Sequence, residues 1–389
     1  MKPATVEVLE HVQHVYGCRR CENNAPNTDI VMARAPEALI PHSFVSASLL
    51  AFIINRKFAE HVPLYRQEQQ FINFGIDISR ANMANWVIKG SELLEPVYDL
   101  LHNILLKQNF IHCDETTMQV LSEPGVKATS KSYMWHYGSG RYGPNVKLYE
   151  YQPSRAANHP KKFLTGFNGY IQTDGYAGYN SVENVEIMGC FAHVRRKFVD
   201  ALKALPKDAD ESRTLSQRGK EYCDKLFMLE REYTELDPEQ RLEVRINKSK
   251  PVFDEFYEWL AENKDVVLPK SALGKAISYS LNQWGKLETF LKNGEVELSN
   301  NAAEVAIKPF VLSRKNFLFA KSPKGAKASA ILFSIMETAK ANNLSPFHYL
   351  EYLFEQIPNI NVNDDKELKE LLPWSDDLPG DIKVSPKLL

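Results

Sequence analysis

The residues with most chemical promise in this chain are three carboxylates. Asp114 follows the apolar run Phe110-Ile111-His112-Cys113, and Asp174 follows Tyr170-Ile171-Gln172-Thr173. Both runs have strand character, and a carboxylate at the C-terminal end of a strand is held in place by a rigid element. Hard oxygen ligands suit Mg2+ or Mn2+. Two such ions about 3.5–4 Å apart can activate a nucleophile and stabilise the leaving oxygen of a phosphodiester. A site of that kind needs about three carboxylates from separate elements, and Glu304, on a helix expected from Asn301, supplies the third. Each residue also has a plainer role open to it. Asp114 can close the turn after its strand, Asp174-Gly175 is a common turn dipeptide, and Asn301-Ala302-Ala303-Glu304 has capping-box spacing.

The elements that would carry these residues fall into zones. Up to about residue 108 the pattern is helical. Pro63-Leu64-Tyr65-Arg66-Gln67-Glu68 starts one helix, Gly75-Ile76-Asp77 interrupts it, and Ser79 opens another, which is a helix-turn-helix pattern and equally an ordinary helical hairpin. From 109 to 205 the period changes to that of an α/β segment. Strands are expected at 110–114, 132–137, 146–151, 170–173 and 186–191, with helices at 155–167 and from Ala192. Residues 206–295 are rich in Glu, Lys, Leu and Arg and read as helices. Helices resume from Asn301, at 328–341 and at 346–356, and the acidic, proline-interrupted end from Asn361 reads as a loose tail.

Composition narrows the class. With 389 residues, 44% hydrophobic and 25% charged, the chain can bury a large core in two or three domains. No window approaches the roughly 18 apolar residues of a membrane span, and no apolar stretch follows Met1-Lys2-Pro3-Ala4, so a cytoplasmic protein without a signal peptide is expected. A net charge of −2 argues against a uniformly basic nucleic-acid binder but leaves room for local basic faces. Five sparse cysteines do not suggest a disulfide framework. Arg195, Arg196 and Lys197, together with Lys308, Arg314 and Lys315, could line a phosphate path or form solvated faces. Trp284 could stack on a splayed base or sit in the core. His112 and His193 are expected to pack or hydrogen bond rather than bind metal.

Several linked segments resemble the insertion-sequence-66 family of transposases, from about residue 30 to 360. His112-Cys113-Asp114-Glu115-Thr116 resembles the family's DET segment, and Tyr170 to Tyr179 matches its QTDGYAGY segment nearly letter for letter. Cys190 to Phe198 resembles AHxRRKF, and Asn300-Asn301-Ala302-Ala303-Glu304 resembles NNxxE. The resemblance implies an RNase H-like catalytic core, a mixed five-stranded sheet flanked by helices, with Asp114, Asp174 and Glu304 as a DDE triad. Asp114 would bridge two Mg2+ or Mn2+ ions, while Asp174 and Glu304 would each complete one ion's shell. The reaction implied is hydrolysis at transposon ends, then attack of the freed 3′-hydroxyl on target DNA, with no side chain covalently modified. DNA terminal inverted repeats and target DNA are the implied partners, with a homo-oligomer on DNA and accessory transposition proteins.

On this pattern residues 31–108 are a helical DNA-binding region, 109–205 and 296–341 the two parts of the catalytic core, and 206–295 a helical insertion. Residues 342–389 are then a C-terminal helical segment and tail. Three departures stand out. Ser299 replaces an Asp, Val305 replaces an Arg, and residues 1–30 hold only Cys18-Arg19-Arg20-Cys21, one half of the family's zinc site. Structural zinc needs four ligands, so an intact zinc site is not expected, and the chain reads as N-terminally shortened. A truncated transposase that grips DNA without cutting it is the alternative function.

Overall fold

The computed structural model describes residues 5–18, 30–33, 38–206 and 208–385. They divide into two compact units, Met1–Ser46 and Ala47–Leu389. In the first unit β1 (Val15–Gly17) pairs antiparallel with β2 (Ile30–Met32). Cys18 is exposed, and Cys21, the other cysteine of the pair expected from the sequence, lies outside the described residues.

The second unit opens with α1 (Ala47–Phe58), α2 (Leu64–Asn73), α3 (Arg80–Leu93) and α4 (Glu95–Leu105). The turn between α2 and α3 forms where its punctuation indicates. Gly75 takes φ +77, a region that favours glycine, and Ser79 caps α3 by accepting a hydrogen bond from Asn82 N at 3.2 Å. Leu50, Ile53, Ile54 and Phe58 of α1 are fully or almost fully buried.

A five-stranded mixed sheet follows, from β3 (Phe110–Gln119), β4 (Lys131–Ser139), β5 (Lys147–Gln152), β6 (Gly169–Gln172) and β7 (Val185–Met188). A short helix, α5 (Asn158–Phe163), lies between β5 and β6. The strand order is β5-β4-β3-β6-β7. β3, β4 and β5 are joined antiparallel, whereas β6 runs parallel to both β3 and β7. Trp135, Tyr137 and Tyr149 are completely buried in this sheet. β3 outruns its expected end at Asp114, because β4 continues to pair with it as far as Gln119. Only its parallel partner stops early, at the His112–Gln172 rung.

α6 (Phe191–Lys203) leads out of the sheet into the helices α7 (Leu215–Glu232), α8 (Pro238–Val244), α9 (Lys250–Lys264) and α10 (Ala272–Leu287). Phe191, Phe198, Phe253, Phe256 and Phe290 bury together and fuse these helices to α6. Trp284 stacks on Phe253 at 4.1 Å between centroids and packs against this core, which accounts for it without a nucleic-acid role. α11 (Asn301–Phe317) and α12 (Pro323–Ala341) return to the sheet, followed by α13 (Pro346–Gln356) and α14 (Asp365–Glu370). The end of the chain is not the loose tail its acidity suggests. Leu368, Leu371, Leu372, Leu378 and Ile382 are buried, and Tyr349 Oη donates to Leu371 O at 2.7 Å.

One charged cluster locks the insertion to the segment that leads back to the sheet. Glu230 accepts from Arg245 at 2.7 and 2.8 Å and from Arg241 at 2.8 Å. Arg245, with no solvent exposure, also donates to the carbonyls of Phe290, Asn293 and Val296 at 2.8–3.0 Å. Burial would raise the Glu230 carboxyl, but the bonds from Arg245 and then Arg241 hold it below its ordinary value. Breaking a buried pair leaves an uncompensated charge and costs about 3–5 kcal/mol. Arg245→Ala is therefore expected to destabilise the chain by about 3 kcal/mol in urea denaturation; a loss below about 1 kcal/mol would show the cluster to be slack.

Candidate active site

Register brings the first two carboxylates together. Ile111 pairs with Ile171 and His112 with Gln172 in the parallel β3–β6 ladder. Asp114 and Asp174 therefore each lie two residues past the same last rung. Side chains alternate with period two and neighbouring strands run about 4.8 Å apart, so the two residues leave the ladder side by side. The chain then turns sharply. Gly175 takes φ +96, Asp174 Oδ1 accepts from Tyr176 N at 2.9 Å, and Thr173 Oγ1 accepts from Gly175 N at 3.2 Å.

Glu304 is brought to this place by Asn300. That side chain is fully buried. It donates from Nδ2 to Cys113 O at 2.8 Å and accepts from His112 Nδ1 at 2.9 Å, while its backbone N donates to Cys190 Sγ at 3.1 Å. The start of α11 is thus pinned to the residue before Asp114. Asn300, not Asn301, caps α11, and it does so without a side-chain hydrogen bond, so the capping box is not formed. The Glu304 carboxylate instead meets Arg196 of α6 at 3.2 and 3.3 Å and His193 at 3.8 Å.

The electrostatics record the convergence. Asp114 is half-buried, and its carboxyl is pushed up to about 7, by burial first, then by Glu115, and further by Asp174 and Glu304. A hydrogen bond from Glu115 N at 2.8 Å only partly opposes this. Burial also lowers His193, with Arg196 acting in the same direction and Glu304 and Asp174 opposing. Among the described residues no three His, Cys, Asp or Glu side chains are disposed to hold a metal ion in this arrangement, and Glu304 is turned to Arg196.

A second set of residues braces the Asp174 turn. The Glu115 side chain is buried. It accepts from Arg155 Nε at 2.7 Å and from Tyr179 Oη at 2.8 Å. The Arg155 guanidinium lies 3.8 Å over the Tyr176 ring, and Tyr176 Oη donates to Arg155 O. From the insertion, Tyr279 Oη donates to Asp174 O at 3.3 Å. Glu115, Tyr176, Tyr179 and Asn300 stand within the segments that resemble the family, yet spacing assigns them no role. Tyr279 has no sequence signal at all, because only folding brings α10 to Asp174.

Of the basic residues, Arg195 pairs with Asp224 at 2.5 Å, and Lys197 is exposed, 5.5 Å over the Tyr279 ring. Lys308 and Lys315 are exposed. Arg314 folds onto β3, donating to Thr116 Oγ1 at 3.3 Å and to Thr117 Oγ1 at 3.0 Å.

Comparison with known proteins decides the family. The Transposase IS66 family matches residues 42–328, and the IS66 C-terminal element matches residues 334–374. The chain belongs to the IS66 family of transposases. It is 33% identical to Uncharacterized protein y4hP of Sinorhizobium fredii, over 96% of this chain and 68% of the relative. It is 31% identical to Uncharacterized protein y4jD of the same organism, over 96% of this chain and 73% of that relative. No helix among the described residues of this IS66 chain is long and apolar enough to cross a membrane.

Two outcomes follow. Asp114 has a folded value above its unfolded one, so in the metal-free protein its ionisation opposes folding as pH rises between the two. Asp114→Asn is expected to raise the melting temperature in EDTA at pH 8, with the gain shrinking as pH falls through 7 and gone below about 4. A variant less stable than the parent at pH 8 would contradict the crowding of charge. Glu115→Gln keeps the shape but loses the charge that holds Arg155. On the metal-binding reading proposed below, it is expected to weaken Mg2+ binding in a calorimetric titration about tenfold, in the range of changes to groups behind metal ligands, whereas Glu115→Asp retains more of the affinity. Unchanged binding in both would remove Glu115 from the bracing set.

Proposed function

We propose that this IS66 transposase cuts and joins DNA by metal-dependent phosphodiester chemistry, with Asp114, Asp174 and Glu304 as its catalytic carboxylates. The observation that carries the reading is the meeting of these residues at Asp114, which stands two residues past a parallel rung beside Asp174; burial and Glu115 raise its carboxyl most, and Asp174 and Glu304, far apart along the chain, raise it further. The strand order, with three antiparallel strands followed by two parallel ones, supports an RNase H-like core beneath it.

The donor chemistry fits divalent magnesium or manganese. All three candidates are hard oxygen ligands, and mutual repulsion at Asp114 is what a cation would relieve. Mg2+ takes only one or two carboxylates per ion and keeps water, so a preformed three-carboxylate cage is not required. Asp114 and Asp174 would hold the ions, and Glu304 would join them on leaving Arg196. The ions would supply Lewis-acid stabilisation of charge on the phosphodiester. The chain's own residues do the positioning: Asn300 sets the height of α11 against β3, and Glu115, Tyr179 and Tyr279 hold the Asp174 turn. Lys197, Lys308 and Lys315 offer phosphate contacts at the surface. On this reading the substrates are the terminal repeats of an insertion sequence and a target duplex, with a homo-oligomer and accessory proteins as partners.

A second reading, DNA binding without cutting, is favoured by the engagement of Glu304 with Arg196 and by the exposed Val305 at a position where charge is expected. Incubation with a terminal-repeat duplex and Mg2+ separates the two. Cleavage by the parent chain and its loss in Asp174→Ala, by a factor of at least about a thousand with an unchanged melting temperature, is the expected result. Cleavage surviving in Asp174→Ala ends the triad assignment. Salt-dependent binding with no cutting by the parent favours the second reading.

A further inference from the structure

A cavity of about 390 Å³ opens beyond the end of β3 that faces away from its parallel rungs. That volume lies within the range of small-molecule sites. Phe310, Phe317, Met118 and Ile88 give it apolar walls, and Asn85 and Gln119 contribute amides. Lys57, Arg314 and Lys321 line it, and among the described residues no Asp or Glu does. Ser322 and Gly325 bring in the first turn of the 19-residue helix α12, whose N-terminal end is positive.

Two local features at the cavity are energetically costly. Leu318 takes φ +51 and ψ −47, with Phe319 N donating to Phe317 O at 2.5 Å. This is a γ-turn of the rare, strained positive-φ kind, a kind of strain that clusters at ligand clamps. The side chains it displays at the cavity, Leu318 and Phe319, are 63% and 46% exposed, so core burial does not offset the strain. Lys57 sits with its ammonium 3.7 Å from the Phe317 ring centroid. Burial lowers its pKa to about 8, and among the described residues no carboxylate forms an ion pair with it.

A site with apolar and aromatic walls, amides and a wholly cationic charged lining fits a ligand that joins a flat ring to an anion. A simple anion would leave the aromatic walls unused, and a neutral apolar ligand would leave three cations unanswered. The same cavity is tied to the candidate active site through β3. Arg314 donates to Thr116 and Thr117, and Met118 stands four residues from Asp114 on one strand, about 13 Å at strand rise. That span equals about four base steps of duplex.

We propose that this cavity receives an unstacked base of a DNA strand that runs on toward Asp114, the ring lying against Phe317 and Phe319 and the phosphates facing Lys57, Arg314 and Lys321. The proposal rests on the reading of the chain as a protein that acts on DNA, but not on the identity of the three carboxylates.

The test is binding of the full chain to a single-stranded oligonucleotide in EDTA at fixed salt, with an abasic residue moved one position at a time. One position is expected to lower affinity about tenfold, the worth of one base stacked on an aromatic side chain, while its neighbours change it little. Ala84→Phe, which fills the cavity from α3, is expected to weaken the intact oligonucleotide by a similar factor and to erase the dependence on that position, with an unchanged melting temperature. An even response across all abasic positions would overturn the proposal, as would an Ala84→Phe variant that keeps the position dependence. The abasic series uses the parent chain, so it stands if the filled variant folds poorly. Failure of the carboxylate assignment shows up separately, as cleavage that survives Asp174→Ala.

Discussion

One buried amide sets the geometry on which the site depends. Asn300 has no contact with water, so its polar atoms must find partners inside the protein or cost about 1–3 kcal/mol each. The partners it finds lie on β3, at His112 and Cys113. This requirement forces the N-terminus of α11 against the strand that carries Asp114. Glu304 stands one helical turn further along, so its approach to the two aspartates follows from the hydrogen-bond needs of a neighbour that bears no charge. The same amide group rules out the simpler role for Glu304, because a helix start occupied in this way has no side-chain cap to reciprocate.

The charge balance around this point is deliberately uneven. Asp114, Glu115, Asp174 and Glu304 crowd into one half-buried region. Three of the charges have cations or donors to hold: Glu115 has Arg155 and Tyr179, Glu304 has Arg196, and Asp174 closes its own turn. Asp114 receives a single backbone hydrogen bond and the repulsion of all the others. A site of this kind works against the fold that holds it, which is a common expense of function. The stabilising counterweight lies elsewhere, in the aromatic core of the insertion and in the Glu230–Arg241–Arg245 cluster.

The mixed α/β class with a five-stranded sheet was legible in the sequence because β4, β5, β6 and β7 announce themselves by apolar runs between turn residues. Ser79 and Gly75 likewise mark their turn by chemistry that acts locally. Long-range pairing was not legible. The extension of β3 past Asp114 depends on β4, and nothing near Thr116 or Thr117 signals it. The end of the chain looks like a solvated tail by charge, yet its scattered leucines find a surface on the rest of the unit. The convergence of the carboxylates came only from the likeness of whole segments to a family, since each acid taken alone has an adequate structural use. Tyr279 and Arg155 reach the site from elements whose local sequence carries no mark of it.

The contact between Tyr279 and the backbone of Asp174 has a consequence for how such chains can diverge. The helices between the second and third carboxylates look dispensable in a linear map, a long detour within an otherwise continuous domain. In three dimensions one of them forms a wall of the Asp174 turn, and Gly175 faces Tyr279 and Gln283 so closely that an added methyl group would touch both. The detour and the turn are therefore a single packed unit. Recombination that replaced one from a distant homologue, while keeping the other, would pair surfaces never selected to meet.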